Sequence, residues 1–355
     1  MRAIADAIGF NLVVISPTIA LVLTALILLF FTITIESNEK VKQVITFSGV
    51  VSTLFCVFLK FGLFLQNGVS SYFSKKILLD EFSLFGNVLI GLILLFNILP
   101  IWDSSSQLRE KTTEAIILTL MSTSGFMLMV DSENLIMLFI GLEIGSISLY
   151  ALAGLNRVDK LSNEASLKYF LLGSLASCIF IYGVSLVYVS FSVLSVYDFA
   201  TGVGFVGADS VPLTTKLGVI LIFIGLLFKI AAAPFQSWAP DVYQGSPTGY
   251  VGYMASIAKA SAFIVIARLC QVSLRFMPNE FDSFFLFVVI LSVVIGSIFA
   301  SVQDDLKRLL AYSGVVQSGF ILSGIVSGIN GTSASMFYLF AYIIQLIGIL
   351  SLIHI

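Results

Sequence analysis

The sequence predicts an all-α polytopic membrane protein of about 11 transmembrane helices, and three observations predict it. Hydrophobic residues make up 58% of the 355-residue chain and charged residues only 11%, where a soluble domain carries about 25% charged residues. Mean hydropathy is +1.06, so water is not the main solvent. Apolar runs that can cross a hydrocarbon core about 30 Å thick, which takes roughly 20 helical residues, recur along the whole chain. Alternating β patterns of the barrel kind are absent.

Segmenting on that length gives eleven spans, at 8–33, 44–65, 82–101, 115–130, 134–155, 167–192, 217–237, 248–272, 284–302, 306–326 and 333–354. The stretch 1–9 before the first span carries Arg2 and Asp6. It runs into a segment too long for a signal sequence, with no small-residue cleavage site behind it, so it reads as a retained span. Between the sixth and seventh spans, residues 191–216 form the longest connection, rich in Gly and Ser, expected to be an ordered cap or a mobile loop. No soluble domain interrupts the pattern, which leaves no room for a nucleotide, haem or iron-sulfur domain. The Gly-rich stretch 202–207 neither follows a strand nor opens a helix as a phosphate site requires.

Lysine and arginine are distributed unequally between the two sides. The odd-numbered loops hold nine: Lys40, Lys42, Arg109, Lys111, Arg157, Lys160, Lys168, Lys307 and Arg308. The opposite side holds five: Arg2, Lys75, Lys76, Lys216 and Arg275. The positive-inside rule then puts the odd loops in the cytoplasm or matrix, the N-terminus outside and the C-terminus inside. A net charge of -2 with no basic block excludes a nucleic-acid partner. Cys56, Cys178 and Cys270 lie far apart inside apolar runs, with neither metal-ligand nor disulfide spacing, and read as packing residues. Thirty-two Phe against two Trp suit an AT-rich genome, mitochondrial or bacterial.

The informative residues are charges inside the spans. An ionisable group at mid-bilayer costs about 2.5–3.5 kcal/mol on insertion scales, so it must face protein or water and find a partner. Lys60 lies near the end of the second span, where a long side chain reaches the interface, and is expected to snorkel. Glu143 is midway along the fifth span, flanked by Gly141 and Gly145, a small-residue face on which another helix can pack. Lys229 is in the seventh span, five residues before Pro234. Pro234 has no N–H for the carbonyl of Ile230, so the helix must kink or break just after the lysine. Broken backbone inside a membrane is tolerated only where it lines a wet or protein-buried cavity, and transporters place ion sites there. A Lys229–Glu143 pair that forms and separates would load and release a proton. Lys259 is about a dozen residues from either end of the eighth span, too deep to snorkel, and reads as a relay residue. Arg268 is a further cation nearer that helix's end, and His354, the one histidine, has a terminal position that argues against a relay role.

Four stretches carry a family resemblance: GLEI at 141–144, NEASLKYFLLGS at 163–174, FK at 228–229 with PFQSWAPDVYQGSPT at 234–248, and DLKRLLAYS at 305–313. Together they resemble the antiporter-like subunits of respiratory complex I, the chain 2 or N branch, over essentially the whole chain. The resemblance implies an inverted-repeat fold with a broken seventh helix. An N-terminal three-helix segment would occupy 1–110, a first five-helix repeat 111–275, and the start of a second, incomplete repeat 276–355.

It also implies that Glu143, Lys229 and Lys259 are the proton-relay residues and Pro234 the helix break. The function implied is proton translocation through a half-channel, driven by quinone reduction elsewhere in NADH:ubiquinone oxidoreductase, in the mitochondrial inner membrane or a bacterial plasma membrane. No cofactor is expected in this chain; NADH, FMN, iron-sulfur clusters and ubiquinone belong to other subunits. Partners implied are other membrane-arm subunits and membrane lipids. Relatives continue for three further helices, so a separate polypeptide supplying them, a fragment, or a lost exit route are all consistent. A tenth-span position that often carries histidine in the family is Gln317 here, which cannot titrate. A structural scaffold of the same membrane arm and a related cation/proton antiporter subunit remain as alternatives, and the tail of the seventh-span motif, 241–245, favours the respiratory branch.

Overall fold

The computed structural model describes residues 2–34, 39–106, 112–207, 210–277 and 281–354. Arg109 and Lys111 of the charge bias lie outside these residues, as do the side chains of Arg2 and His354. The helices are α1 (Arg2–Thr34), α2 (Glu39–Asn67), α3 (Glu81–Ser106), α4 (Thr112–Asp131), α5 (Leu135–Ala153), α6 (Lys160–Phe191), α7 (Val196–Val206), α8 (Leu213–Lys229), α9 (Trp238–Gly245), α10 (Thr248–Arg268), α11 (Asp282–Ala300), α12 (Leu306–Val326) and α13 (Ile329–His354). Among the described residues ten helices are long and apolar enough to cross a membrane. The remaining expected span, the seventh, is helical in α8 only as far as Lys229 and leaves the helix from 230 to 237. The chain is thus an all-α multi-pass membrane protein.

Local sequence sets the helix starts. Asn134, Asp159 and Asp305 precede α5, α6 and α12, and their side-chain oxygens accept from the Ile136, Leu161 and Arg308 amides. These satisfy donors that have no partner within the first turn. Because Asp159 caps α6, that helix begins seven residues ahead of the expected 167, and Lys168 is a helical residue rather than a loop one.

Small residues set the packing. A methyl added to Gly141 would lie 2.5 Å from the Met129 amide nitrogen of α4, and one on Gly125 would lie 2.9 Å from the Gly141 carbonyl. The Gly141–Gly145 face therefore presses backbone to backbone on α4, as small residues permit. Similar contacts close α6 on α8, where a methyl on Gly183 would lie 2.6 Å from the Gly218 carbonyl. At the centre runs α10, buried from Gly249 to Arg268 and contacted by α3, α4, α5, α8, α9 and α13. Large apolar side chains such as Phe58, Leu175 and Leu286 point outward, the surface expected against lipid.

Lys60 does not snorkel. It is 0% exposed, and its ammonium pairs with Asp131 at 2.5 Å. Asn87 Nδ2 donates to the same carboxylate oxygen at 2.6 Å. Asp131 ends α4 one residue past the expected span, so the sequence reading placed it in a loop and Lys60 had no visible counter-charge. Beside this pair, Arg268 holds Asp80 through two donors, Nε at 2.9 Å and Nη2 at 2.5 Å, and also donates to the Val130 carbonyl at 2.6 Å. The two buried ion pairs therefore join α2 to α4, and α10 to the residue just before α3.

The same end of the bundle carries a cap, the outer end in the orientation expected from the charge bias. A hairpin of β1 (Ser70–Tyr72) and β2 (Ile77–Leu79) pairs antiparallel, with Tyr72 opposite Ile77. Its turn puts Phe73, Ser74 and Lys75 in the left-handed region. Period-2 patterning cannot reveal strands of three residues, so the hairpin was not anticipated. Within the connection 191–216, Val196–Val206 forms α7, the ordered-cap alternative for the described residues. Glu133 ties the two together by accepting from Ser71 at 2.6 Å and Ser195 at 2.7 Å. Lys75 reaches Asp198 at 2.8 Å, a hydrogen bond that holds its ammonium proton more firmly than in an isolated lysine.

Removing one member of a buried ion pair leaves an uncompensated charge, which costs about 3–5 kcal/mol, whereas an apolar pair of similar volume is tolerated. Lys60→Met should therefore lower thermal stability in detergent far more than the double variant Lys60→Met/Asp131→Leu. Equal losses would show that the pair is not the joint.

Candidate functional site

The site is built around the end of α8. Lys229 is its last residue, and the backbone from 230 to 237 is non-helical before α9 starts at Trp238. Pro234 lies within this break. The Ile230 carbonyl, which a helix would have satisfied with the amide at 234, accepts instead from the Ser318 hydroxyl of α12 at 2.8 Å. The Ala233 amide donates to Ser292 Oγ of α11 at 2.9 Å, and the Phe228 carbonyl accepts from Trp238 Nε1 at 3.1 Å. Ala231 adopts a left-handed φ of 56°, unusual without glycine. Buried backbone polar groups must find partners, and here three side chains from three elements provide them. The expected span at 217–237 was correct in placing a break but missed α9, which resumes with Pro240 in its first turn, where proline is tolerated.

The two ends of the pair expected between α5 and α8 are held apart. The Lys229 ammonium, 2% exposed, donates to Ser146 Oγ and to Tyr150 Oη, each at 2.9 Å. Glu143 instead accepts from the Ser177 hydroxyl of α6. The flanking glycines explain the direction of Glu143: two residues along a helix is a rotation of about 200°, so a Gly141–Gly145 face turned to α4 turns Glu143 toward α6. Ser146 and Tyr150 lie three and seven residues past Glu143, on its own face. The polar spacing 143, 146, 150 on one face of a mostly apolar helix is visible in the sequence, although neither Ser146 nor Tyr150 was singled out.

Lys259 is 2% exposed on α10 and turns toward the second half of the chain. It donates to the Gly314 carbonyl of α12 at 2.8 Å and lies 5.8 Å from the centre of the Tyr342 ring of α13. A cation over an aromatic face is favourable when desolvated. Gln317, one turn further along α12, accepts from the Tyr338 hydroxyl.

The inner end of the break is clamped. Asp241 of α9 pairs with Lys168 of α6 and Arg308 of α12, both at 2.7 Å, and Lys307 donates to the Ser246 carbonyl at 2.9 Å. Above the clamp, Tyr169 stacks on Trp238 at 4.7 Å, and Trp238 on Phe228 at 5.4 Å. Among the described residues no cluster of His, Cys, Asp or Glu could hold a metal ion. Cys178 faces outward, so a packing role fits Cys56 and Cys270 better.

The family described as NADH:quinone oxidoreductase/Mrp antiporter, TM, matches residues 132–354, which include the break, Glu143, Lys229 and Lys259. The chain belongs to this family. NADH-quinone oxidoreductase subunit N of Trichlorobacter lovleyi is 35% identical over 347 residues, covering 97% of this chain and 70% of that one. Subunit N of a Parafrankia species is 44% identical over 232 residues, 65% of this chain and 44% of its own. A solved structure, respiratory complex I from Thermus thermophilus with bound aureothin, aligns with a TM-score of 0.78 and 28% identity over 95% of this chain and 70% of that one. The chain thus matches 70% and 44% of the length of these two curated relatives, respectively. Both are named as subunits of the NADH-quinone oxidoreductase, and the antiporter-like membrane architecture is shared.

The Lys259 pocket exists because residue 314 has no side chain. A methyl there would lie 2.5 Å from the Lys259 ammonium and 2.9 Å from Tyr342 Oη. Overpacking costs about 1–3 kcal/mol, so Gly314→Ala should lower the thermal midpoint, while Gly348→Ala, where an added methyl meets nothing, should not. Equal midpoints would contradict the packing described.

Proposed function

We propose that the chain is a proton-translocating membrane-arm subunit of a NADH:quinone oxidoreductase. Protons move through a half-channel lined by Glu143, Lys229 and Lys259, in response to quinone reduction in other subunits. One observation carries this reading: a lysine 2% exposed ends an interrupted helix inside the bundle, bonded only to hydroxyls, with a carboxylate on the same face of the facing helix. Moving an ammonium between neutral acceptors and a carboxylate changes how firmly it holds its proton, which is the step a relay needs. Lys259 hands the route on toward α12 and α13. The names of the relatives support the respiratory assignment over a cation/proton antiporter of the same family.

In this reading residues 1–110 form the N-terminal three-helix segment, 111–275 the first five-helix repeat and 276–355 the start of the second. NADH, FMN, iron-sulfur clusters and ubiquinone are held by neighbouring subunits. The membrane is a mitochondrial inner membrane or a bacterial plasma membrane, and the bacterial relatives support the second.

Lys229→Ala tests the proposal in the assembled complex, with protons moved per NADH measured in sealed vesicles. The expected outcome is a lower stoichiometry at normal assembly. An unchanged stoichiometry would favour a scaffold subunit that retains the architecture without pumping.

A further inference from the structure

Two side chains of the relay face have no role in the pair expected between Glu143 and Lys229, yet they hold the lysine. Ser146 and Tyr150 each accept from its ammonium at 2.9 Å. The Ser146 hydroxyl donates to the Leu142 carbonyl, which leaves its oxygen lone pairs for Lys229. Glu143 is not left empty by this arrangement, because Ser177 donates to it. Each partner of the pair therefore has its own neutral dock, on a different helix.

The Tyr150 dock is built rather than incidental. Its ring packs edge-on against Tyr169 at 4.7 Å, Tyr169 stacks on Trp238 at 4.7 Å, and Trp238 Nε1 bonds the Phe228 carbonyl, the residue before Lys229. The hydroxyl that receives the lysine is thus tied through two rings to the backbone that presents it. A methyl at Gly173 would strike the Tyr150 hydroxyl, so the phenol has one place to sit. By contrast, the lysine stem is flexible. The distance along α5 from Ser146 to the level of Glu143 is three residues, about 4.5 Å, within the swing of a four-carbon chain.

The geometry points to Tyr150 and Ser146 as positioning residues that hold Lys229 off Glu143 between proton transfers. This rests on the relay reading of Lys229 and names what sets its two positions. When Lys229 leaves the dock it meets Glu143 and displaces the Ser177 hydroxyl; when it returns, Ser177 closes on the carboxylate again. No covalent bond other than that to the moving proton changes.

The test is Tyr150→Phe, which keeps the ring and its packing and removes only the acceptor. Losing a hydrogen bond to a charged group shifts the balance between the two lysine positions by about tenfold or more. In the assembled complex the expected result is a fall of about tenfold in proton-coupled NADH:quinone turnover, with its pH profile displaced by about one unit and assembly unchanged. Ser146→Ala should act in the same direction, and Ser146→Thr should restore it. A Tyr150→Phe complex with wild-type turnover, pH profile and proton stoichiometry overturns the dock. The two readings separate cleanly: if Lys229→Ala lowers pumping and Tyr150→Phe does not, the dock alone fails, whereas an unaltered Lys229→Ala complex removes the relay as well.

Discussion

A cation buried in a hydrocarbon-like interior must be met by polar atoms. Lys229 meets the Ser146 and Tyr150 hydroxyls of α5 at the point where α8 stops. Ending α8 inside the bundle frees carbonyls and leaves the negative end of a helix dipole at the residue that carries the charge. The rest of the site follows from the need to satisfy the broken backbone. Ser318, Ser292 and Trp238 each bond a group that the missing helical turn would have paired. Because these three come from α12, α11 and α9, the break also fixes how the two halves of the chain meet.

The surrounding architecture separates rigid parts from movable ones. Ion pairs between fixed elements sit at the two ends of the bundle, Lys60–Asp131 and Arg268–Asp80 at one end and Asp241 with Lys168 and Arg308 at the other. Glycine contacts bring α4 to α5 and α6 to α8 at backbone distance, which leaves those pairs little freedom. Between the ends lie the long, flexible side chains, Lys229 bonded to two hydroxyls and Lys259 to one carbonyl. Weak, neutral partners in the middle and strong, charged ones at the ends are what a path for a moving proton requires.

Ten of the eleven expected spans, the break near Pro234 and the buried state of Lys229 and Lys259 were legible in the sequence, because bilayer thickness and the missing proline N–H act locally. Where the reading failed, the cause was nonlocal. Lys60 was expected to reach the interface because its counter-ion, Asp131, is 71 positions away and was taken for a loop residue. The Lys229–Glu143 pair, expected to form and separate, stands separated here, and what the sequence left unread is the serine and tyrosine on the face of α5 that hold the ammonium. The resumption of helix at Trp238 was missed because an apolar-run length says nothing about a helix that restarts beyond a proline. The outer cap was half legible: Gly and Ser marked a connection, but strands of three residues leave no period to detect.

The most direct measurement is an experimental density map of the assembled complex that resolves ordered water. A chain of water and hydroxyl groups linking Glu143, Lys229 and Lys259 through the break is the expected result. If dry, apolar side chains seal each of the three groups in a separate compartment, or if any of them faces lipid, no proton route runs through this chain.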